Sequence, residues 1–198
     1  LPLLSEYSTW VGQHKGLYNA YLALKNSPEF ATYSVAQKKA IENALRDFEL
    51  SGIGLSEEKQ KRYGEIVARL SELSAQFSNN VLDATMGWEK VIEDESELAG
   101  LPESALLAAK QSAESKGLKG YRFTLEIPSY LPIMTYCENA ALREEMYRAY
   151  ATRASDQGPN AGKWDNTAII EEIMTLRVEL AKLLGFNTYT ERLSLIHI

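Results

Sequence analysis

Cysteine occurs once in the chain, at Cys137, and histidine twice, at His14 and His197. A lone cysteine excludes an intramolecular disulfide framework and fits a reducing compartment, so a cytoplasmic protein is expected. The two histidines stand at opposite ends. A helical zinc-peptidase site needs two imidazoles one turn apart and a Glu beside them, as H-E-x-x-H supplies. Neither His14 nor His197 has a second His three or four residues away, so no complete His-based zinc site is expected within the chain. No G-x-S-x-G, P-loop or dinucleotide fingerprint occurs either. No apolar run approaches the ~20 residues of a membrane span, and no membrane partner is expected. Lys and Arg number 21 against 27 Asp and Glu, for a net charge of -6. Such a surface repels phosphate backbones, and nucleic acid is not an expected partner. The opening residues Leu1-Pro2-Leu3-Leu4-Ser5-Glu6 lack a basic segment and do not read as a signal peptide; lacking Met as well, they suggest a natural start upstream.

What the chain does have is helical periodicity. Residues 1–24 read as one helix or two, with Trp10, Leu17, Tyr21 and Leu24 as an apolar stripe. Ser34 is placed to cap a helix from Val35 to Leu50, with Ala40, Ile41, Ala44, Leu45 and Phe48 on one face and a Glu42–Arg46 pair on the other. Glu57 and Glu58 open the strongest helix, where the dipole favours negative charge. Its stripe runs from Tyr63 through Ile66, Leu70, Leu73 and Phe77 to Val81, with Glu65 and Arg69 as an i,i+4 pair, for ~25 residues or ~38 Å. A short strand is expected in 88–92 and a longer one over Tyr121–Ile127, the two pairing around a small helix that starts near Pro102. Pro128 and Pro132 bracket a turn; helix then resumes near Ile133 and runs to about Arg153, with a possible break at Asn139. Residues 155–162 form a loop. Asn166 caps a last helix with the stripe Ile169, Ile170, Ile173, Leu176, Leu180, Leu183 and Leu184, stopped by Gly185.

The fold class is therefore mainly α, a multi-helix domain with a small hairpin-like β insertion. Three stretches are expected: helical residues 1–87, short strands with an intervening helix over 88–127, and helical residues 128–191 continuing the first domain. Residues 192–198 read as a non-native tail.

No residue earns a catalytic or metal-binding role by its pattern. His14 reads as a surface or half-buried helix histidine, and Cys137 as a buried structural thiol, since no base lies near it in sequence. Asp156–Asn160 lacks the alternating oxygen ligands of a calcium loop. The adjacent pairs Glu144-Glu145 and Glu171-Glu172 read as solvated helix faces. Tyr130, Tyr136, Tyr147 and Tyr150, with Arg143, Arg148 and Arg153, crowd one region. They could line a peptide-contacting groove, or simply pack with their polar tips outward.

Several stretches together resemble the thimet-oligopeptidase family of zinc metallopeptidases. They are residues 3–14 (LLSEYSTWVGQH), 44–55 (ALRDFELSGIGL), 77–85 (FSNNVLDAT), 127–132 (IPSYLP), 143–150 (REEMYRAY) and Leu176-Arg177 followed by 180–186 (LAKLLGF). The resemblance covers nearly the whole chain, from about Leu1 to about Glu191. It implies a neurolysin-like fold, N-terminal portion, with two helical lobes around a deep channel that admits short peptides. It also implies a zinc held by H-E-x-x-H and a downstream Glu in the full-length parent, with no zinc bound by this chain. On that reading the chain is a fragment upstream of the zinc motif. It would form part of the channel wall and be inactive by itself, with short peptides and the remainder of its own polypeptide as partners. The alternative is a non-catalytic helical module that binds peptide or protein.

Overall fold

The computed structural model describes residues 2–193. The expected tail therefore lies outside the described residues from position 194 onward, and so does His197. The chain divides into two compact units, residues 1–75 with 170–198, and residues 76–169. Two helices belong to both.

The first unit opens with α1 (Pro2–Gly12) and α2 (Lys15–Asn26), then α3 (Val35–Leu50). The long α4 (Glu57–Met86) contributes its residues up to 75, and α8 (Thr167–Leu183) contributes from 170; α9 (Tyr189–Leu193) follows. Ser34 and Gln37 close a reciprocal capping box at the start of α3: Gln37 N–H donates to Ser34 Oγ and Ser34 N–H to Gln37 Oε1. The α3 stripe buries Ile41, Leu45 and Phe48, whereas Ala40 is exposed. Tyr18 and Tyr21 of α2 lean on the Phe48 ring, each with centroids 5.9 Å away. Gln60 reaches back from α4 to donate to the carbonyls of Gly52 and Ile53, satisfying the turn between α3 and α4.

Along α4 the heptad partners Ile66 and Leu73 are fully buried, as are Leu180 and Ala181 of α8. Each fully buried aliphatic side chain contributes roughly 1.5–3 kcal/mol. Outside that seam α4 and α8 are joined by charge: Arg62 to Glu179, and Arg69 to Glu172.

Two expectations fail here. Trp10, Leu17 and Leu24 do not form a buried stripe; they are 59%, 41% and 42% exposed. The ion pairs differ too. Glu65 meets Arg62 rather than Arg69, and Arg46 meets the adjacent Asp47. A guanidinium offered a carboxylate from a second helix turns toward it, and its own helix supplies the i+3 Glu instead of the i−4 one.

The second unit contains the end of α4, β1 (Glu89–Ile92), α5 (Glu103–Glu114), β2 (Tyr121–Thr124), α6 (Ile127–Tyr136) and α7 (Ala140–Ala151). The strands pair antiparallel, Lys90 opposite Phe123 and Ile92 opposite Tyr121, with α5 inserted between them as the alternation predicts. Gly120 takes φ +86 where it passes the Ile92 carbonyl, a position no side chain would fit. Trp88, Leu98, Phe123, Leu125, Ile133 and Met146 lead the core.

The strand is shorter than its pattern, and the turn between the prolines is helix. Glu126 is the N-cap of α6, and Pro128 sits in its first turn, where a missing N–H costs nothing. Pro132 forfeits only the bond to the Pro128 carbonyl, one turn from the helix start. The chain then breaks where Asn139 caps α7, its Oδ1 accepting from the N–H groups of Ala141 and Leu142.

The segment from Thr152 to Asn166 is anchored at several points. Asn160 Nδ2 donates to the Gly87 carbonyl at 3.5 Å, and the Trp164 ring lies so close to Gly87 that a Cβ there would sit 2.7 Å from Cζ3. Asn166 does not cap α8 through its side chain. It is buried, accepting from Asn80 Nδ2 at 2.8 Å and donating to the Phe77 carbonyl at 3.2 Å. Asp165 caps instead, its carboxylate accepting from Thr167 N–H and Oγ1–H and held below the usual range by those bonds.

Among the described residues, no helix is long and apolar enough to cross a membrane.

Candidate functional site

The end of α4, α6 and α7 bring together part of the tyrosine- and arginine-rich group. Tyr130 of α6 stacks on Tyr150 of α7, with centroids 4.1 Å apart and planes at 15°. Arg153, just past α7, covers the Tyr150 ring with its guanidinium carbon 3.6 Å from the centroid. The three planar groups thus form a cation–π sandwich. Arg153 is fixed by two further bonds, Nη1 to Thr85 Oγ1 at 2.7 Å and Nε to the Tyr150 carbonyl at 2.9 Å. Tyr130 and Tyr150 rest on the core cluster from one side. Burial raises the Tyr130 pKa, and the neighbouring Tyr150 and Tyr147 phenols raise it further, so its hydroxyl stays a hydrogen-bond donor throughout the physiological range. Tyr147, more than half exposed, completes the cluster.

The other members of the group do other things. Arg143 donates to the Cys137 carbonyl, tying α7 to the C-cap of α6. Tyr136 is exposed. Glu145 receives Lys90 of β1 at 2.8 Å, so one member of the Glu144-Glu145 pair is used in packing. Thr85, which locks Arg153, lies 68 residues away and gives no sign of the contact in its own sequence neighbourhood.

A concavity of about 190 Å³ lies between α5, β2 and α6, walled by Ala105, Ala108 and Ala109. Its polar groups satisfy one another: Arg122 donates to the Glu89 carboxylate at 2.7 Å and to Ser112 Oγ at 2.9 Å, and Thr124 N–H donates to Ser129 Oγ at 2.9 Å.

His14 and Cys137 have structural duties. His14 Nδ1 accepts from Leu17 N–H at 3.1 Å as the N-cap of α2, and its ring stands edge-on to Trp10. Cys137 is buried and directs its thiol at the Glu97 carbonyl. Among the described residues no three His, Cys, Asp or Glu side chains come together as a metal would need. The donors among the described residues do not fit a zinc ion.

A mainly helical fold with a two-stranded sheet is consistent with the family models that match the chain. The model of the Neurolysin/Thimet oligopeptidase N-terminal domain matches residues 2–60, and that of Peptidase family M3 matches residues 133–195. The chain belongs to peptidase family M3. Among individual proteins it is similar to oligopeptidase A of Haemophilus influenzae, 90% identical over 191 residues that make up 96% of the chain and 28% of the relative. Oligopeptidase A of Escherichia coli is 72% identical over 96% of the chain and 28% of its own length. The organellar oligopeptidase A of Arabidopsis thaliana is 46% identical over 96% of the chain and 24% of its own length. The chain thus spans about a quarter of the length of the curated relatives it matches.

Proposed function

We propose that this chain is a portion of a zinc metallo-oligopeptidase that hydrolyses short peptides in the cytoplasm. In that role it forms part of the wall of the peptide channel and supplies no zinc ligand. The observation that carries the reading is the 90% identity to an oligopeptidase A across nearly all of the chain. At that level backbone and side-chain packing are shared, which supports reading the segment as one with the same place in a whole enzyme. The zinc ligands would come from polypeptide outside the described residues. The cytoplasmic assignment rests on the lone, buried Cys137.

On this reading the platform of Tyr130, Tyr147 and Tyr150 contributes to the channel wall. Phenols offer a flat apolar face together with a donor for a peptide carbonyl, at a low cost in side-chain entropy. The test uses the complete polypeptide and a quenched short peptide. Cleavage should vanish with a chelator and return with zinc, and Tyr147→Ala should raise KM several-fold while kcat stays within about twofold. Cleavage that persists through chelation defeats the zinc reading. An unchanged KM in Tyr147→Ala defeats the assignment of the platform to the wall.

A further inference from the structure

Helix α8 carries apolar residues on two sides, and one of them is open to solvent from Ile170 to Val178. Leu176 and Leu180 form a buried seam on one side, and Ala181, only about 20° around from Met174, is buried where the other side ends. Glu172 and Glu179 flank that seam and hold the arginines of α4. On the other side, Ile170, Met174 and Val178 recur at i, i+4 and i+8 and are 49%, 56% and 43% exposed. At 100° per residue these three line up along the helix, while Leu176 lies 200° around from Met174 and Leu180 lies 200° around from Val178. Helices with one apolar stripe belong at a surface, and helices apolar on opposite sides belong inside a larger core. The outer stripe is continuous over two turns and has no charged residue at its three positions.

We infer that Ile170, Met174 and Val178 form an intramolecular docking surface for an apolar helix face from the part of the same polypeptide that lies outside residues 1–198. This rests on the reading of the chain as a portion of a longer peptidase. The relatives argue for that occupant: the matched 191 residues are only 28% of the Haemophilus protein, so more than twice as much chain again is available to cover the stripe. Tethering argues for it too. A segment of the same chain is present at an effective concentration in the millimolar range, which a second copy at ordinary concentrations does not match. The i, i+4, i+8 spacing presents one ridge and favours a helix packed alongside it over an extended strand.

The experiment places a cysteine on the stripe in the complete polypeptide, as Met174→Cys and, separately, Val178→Cys. Retention of native helicity by circular dichroism is checked for each. Maleimide labelling of that position is followed by peptide mass mapping, in native buffer and in urea. Labelling at least tenfold slower in native buffer, at a rate independent of protein concentration, is the expected result. Native labelling at the urea rate overturns the inference. Protection that grows with protein concentration assigns the face to a second copy and overturns it, as does protection that appears only when a short peptide is added. If one variant loses its helicity, the other decides. The zinc dependence of peptide cleavage is read on the unmodified protein, so failure of the peptidase reading and failure of this one are seen separately.

Discussion

Arg62 grips Glu179 with two parallel hydrogen bonds, Nε to Oε1 at 2.6 Å and Nη2 to Oε2 at 2.8 Å. Seven residues along α4 and seven back along α8, Arg69 holds Glu172 in the same fork, at 2.6 and 2.9 Å. Each arginine also meets the Glu at i+3 of its own helix, Glu65 or Glu72. The repeat sets the antiparallel register of the two helices as edge charges set it in coiled coils.

The hydrogen bonds from the two arginines hold the Glu172 and Glu179 carboxyls below the ordinary glutamate range. A group depressed in the folded state adds stability above its unfolded pKa and loses that contribution as pH falls through the folded value. Glu172→Gln with Glu179→Gln should therefore lower Tm near pH 7. The gap from the parent should close as pH falls from the ordinary glutamate range through the lowered values of these two carboxyls. Because these side chains are about 40% exposed, the gap at pH 7 should also shrink in high salt. Thermal unfolding followed by circular dichroism across pH and salt measures both; a gap that stays constant down to pH 3 contradicts the ladder.

Gly87→Ala should destabilise by about 1–3 kcal/mol through overpacking. The new Cβ would crowd Trp164 and lie 2.9 Å from the Asp83 carbonyl oxygen. Combining it with Trp164→Leu should cost less than the sum of the two changes, because the clash has been removed. Urea denaturation of the four proteins gives the coupling.

Ala154 takes φ +53, which strains an L side chain. Ala154→Gly should stabilise by about 0.5–1 kcal/mol, the relief of left-handed strain less the added chain entropy. Gly158→Ala should do the reverse, by about 1–2 kcal/mol. That glycine holds φ +80, and a Cβ there would lie 2.8 Å from Thr152 Cβ. Equal effects of the two changes would show that backbone conformation does not govern this segment.

Asn166→Ala should cost about 1–3 kcal/mol, by leaving Asn80 Nδ2 without its acceptor. Asn166→Asp makes the pH dependence diagnostic. Its carboxylate would face the Phe77 carbonyl that Asn166 Nδ2 now serves. The loss should therefore be larger at pH 7 than at pH 3, where the acid can be protonated and donate. Chemical denaturation at the two pH values decides.

Local signals carried most of the fold. Ser34 with Gln37 and Asn139 mark helix starts through side chains that bond their own neighbours, and Glu57-Glu58 through negative charge in the first turn, so sequence alone reveals them. The run Tyr121–Ile127 misled because alternation continues past the last strand residue, while Glu126 and Pro128 were already helix-start residues. Asn166 misled because a capping residue type was spent on a partner 86 residues away. The Arg–Glu forks between α4 and α8 and the Arg153–Thr85 bond were invisible for the same reason: their geometry exists only after distant segments have packed. The tyrosine crowding could be read from the sequence, but not which ring would meet which.

The absence of a side chain at Gly87 lets an indole close over the end of a helix, and this changes the character of the segment from Thr152 to Asn166. With Gly158-Pro159, Gly162 and several small polar residues, it has the composition of a loose connector, a natural place for nicking or for added residues. Pinned by Asn160, Trp164 and Asn166, it behaves instead as a brace, and proteases should find it a poor substrate while the second unit stays folded.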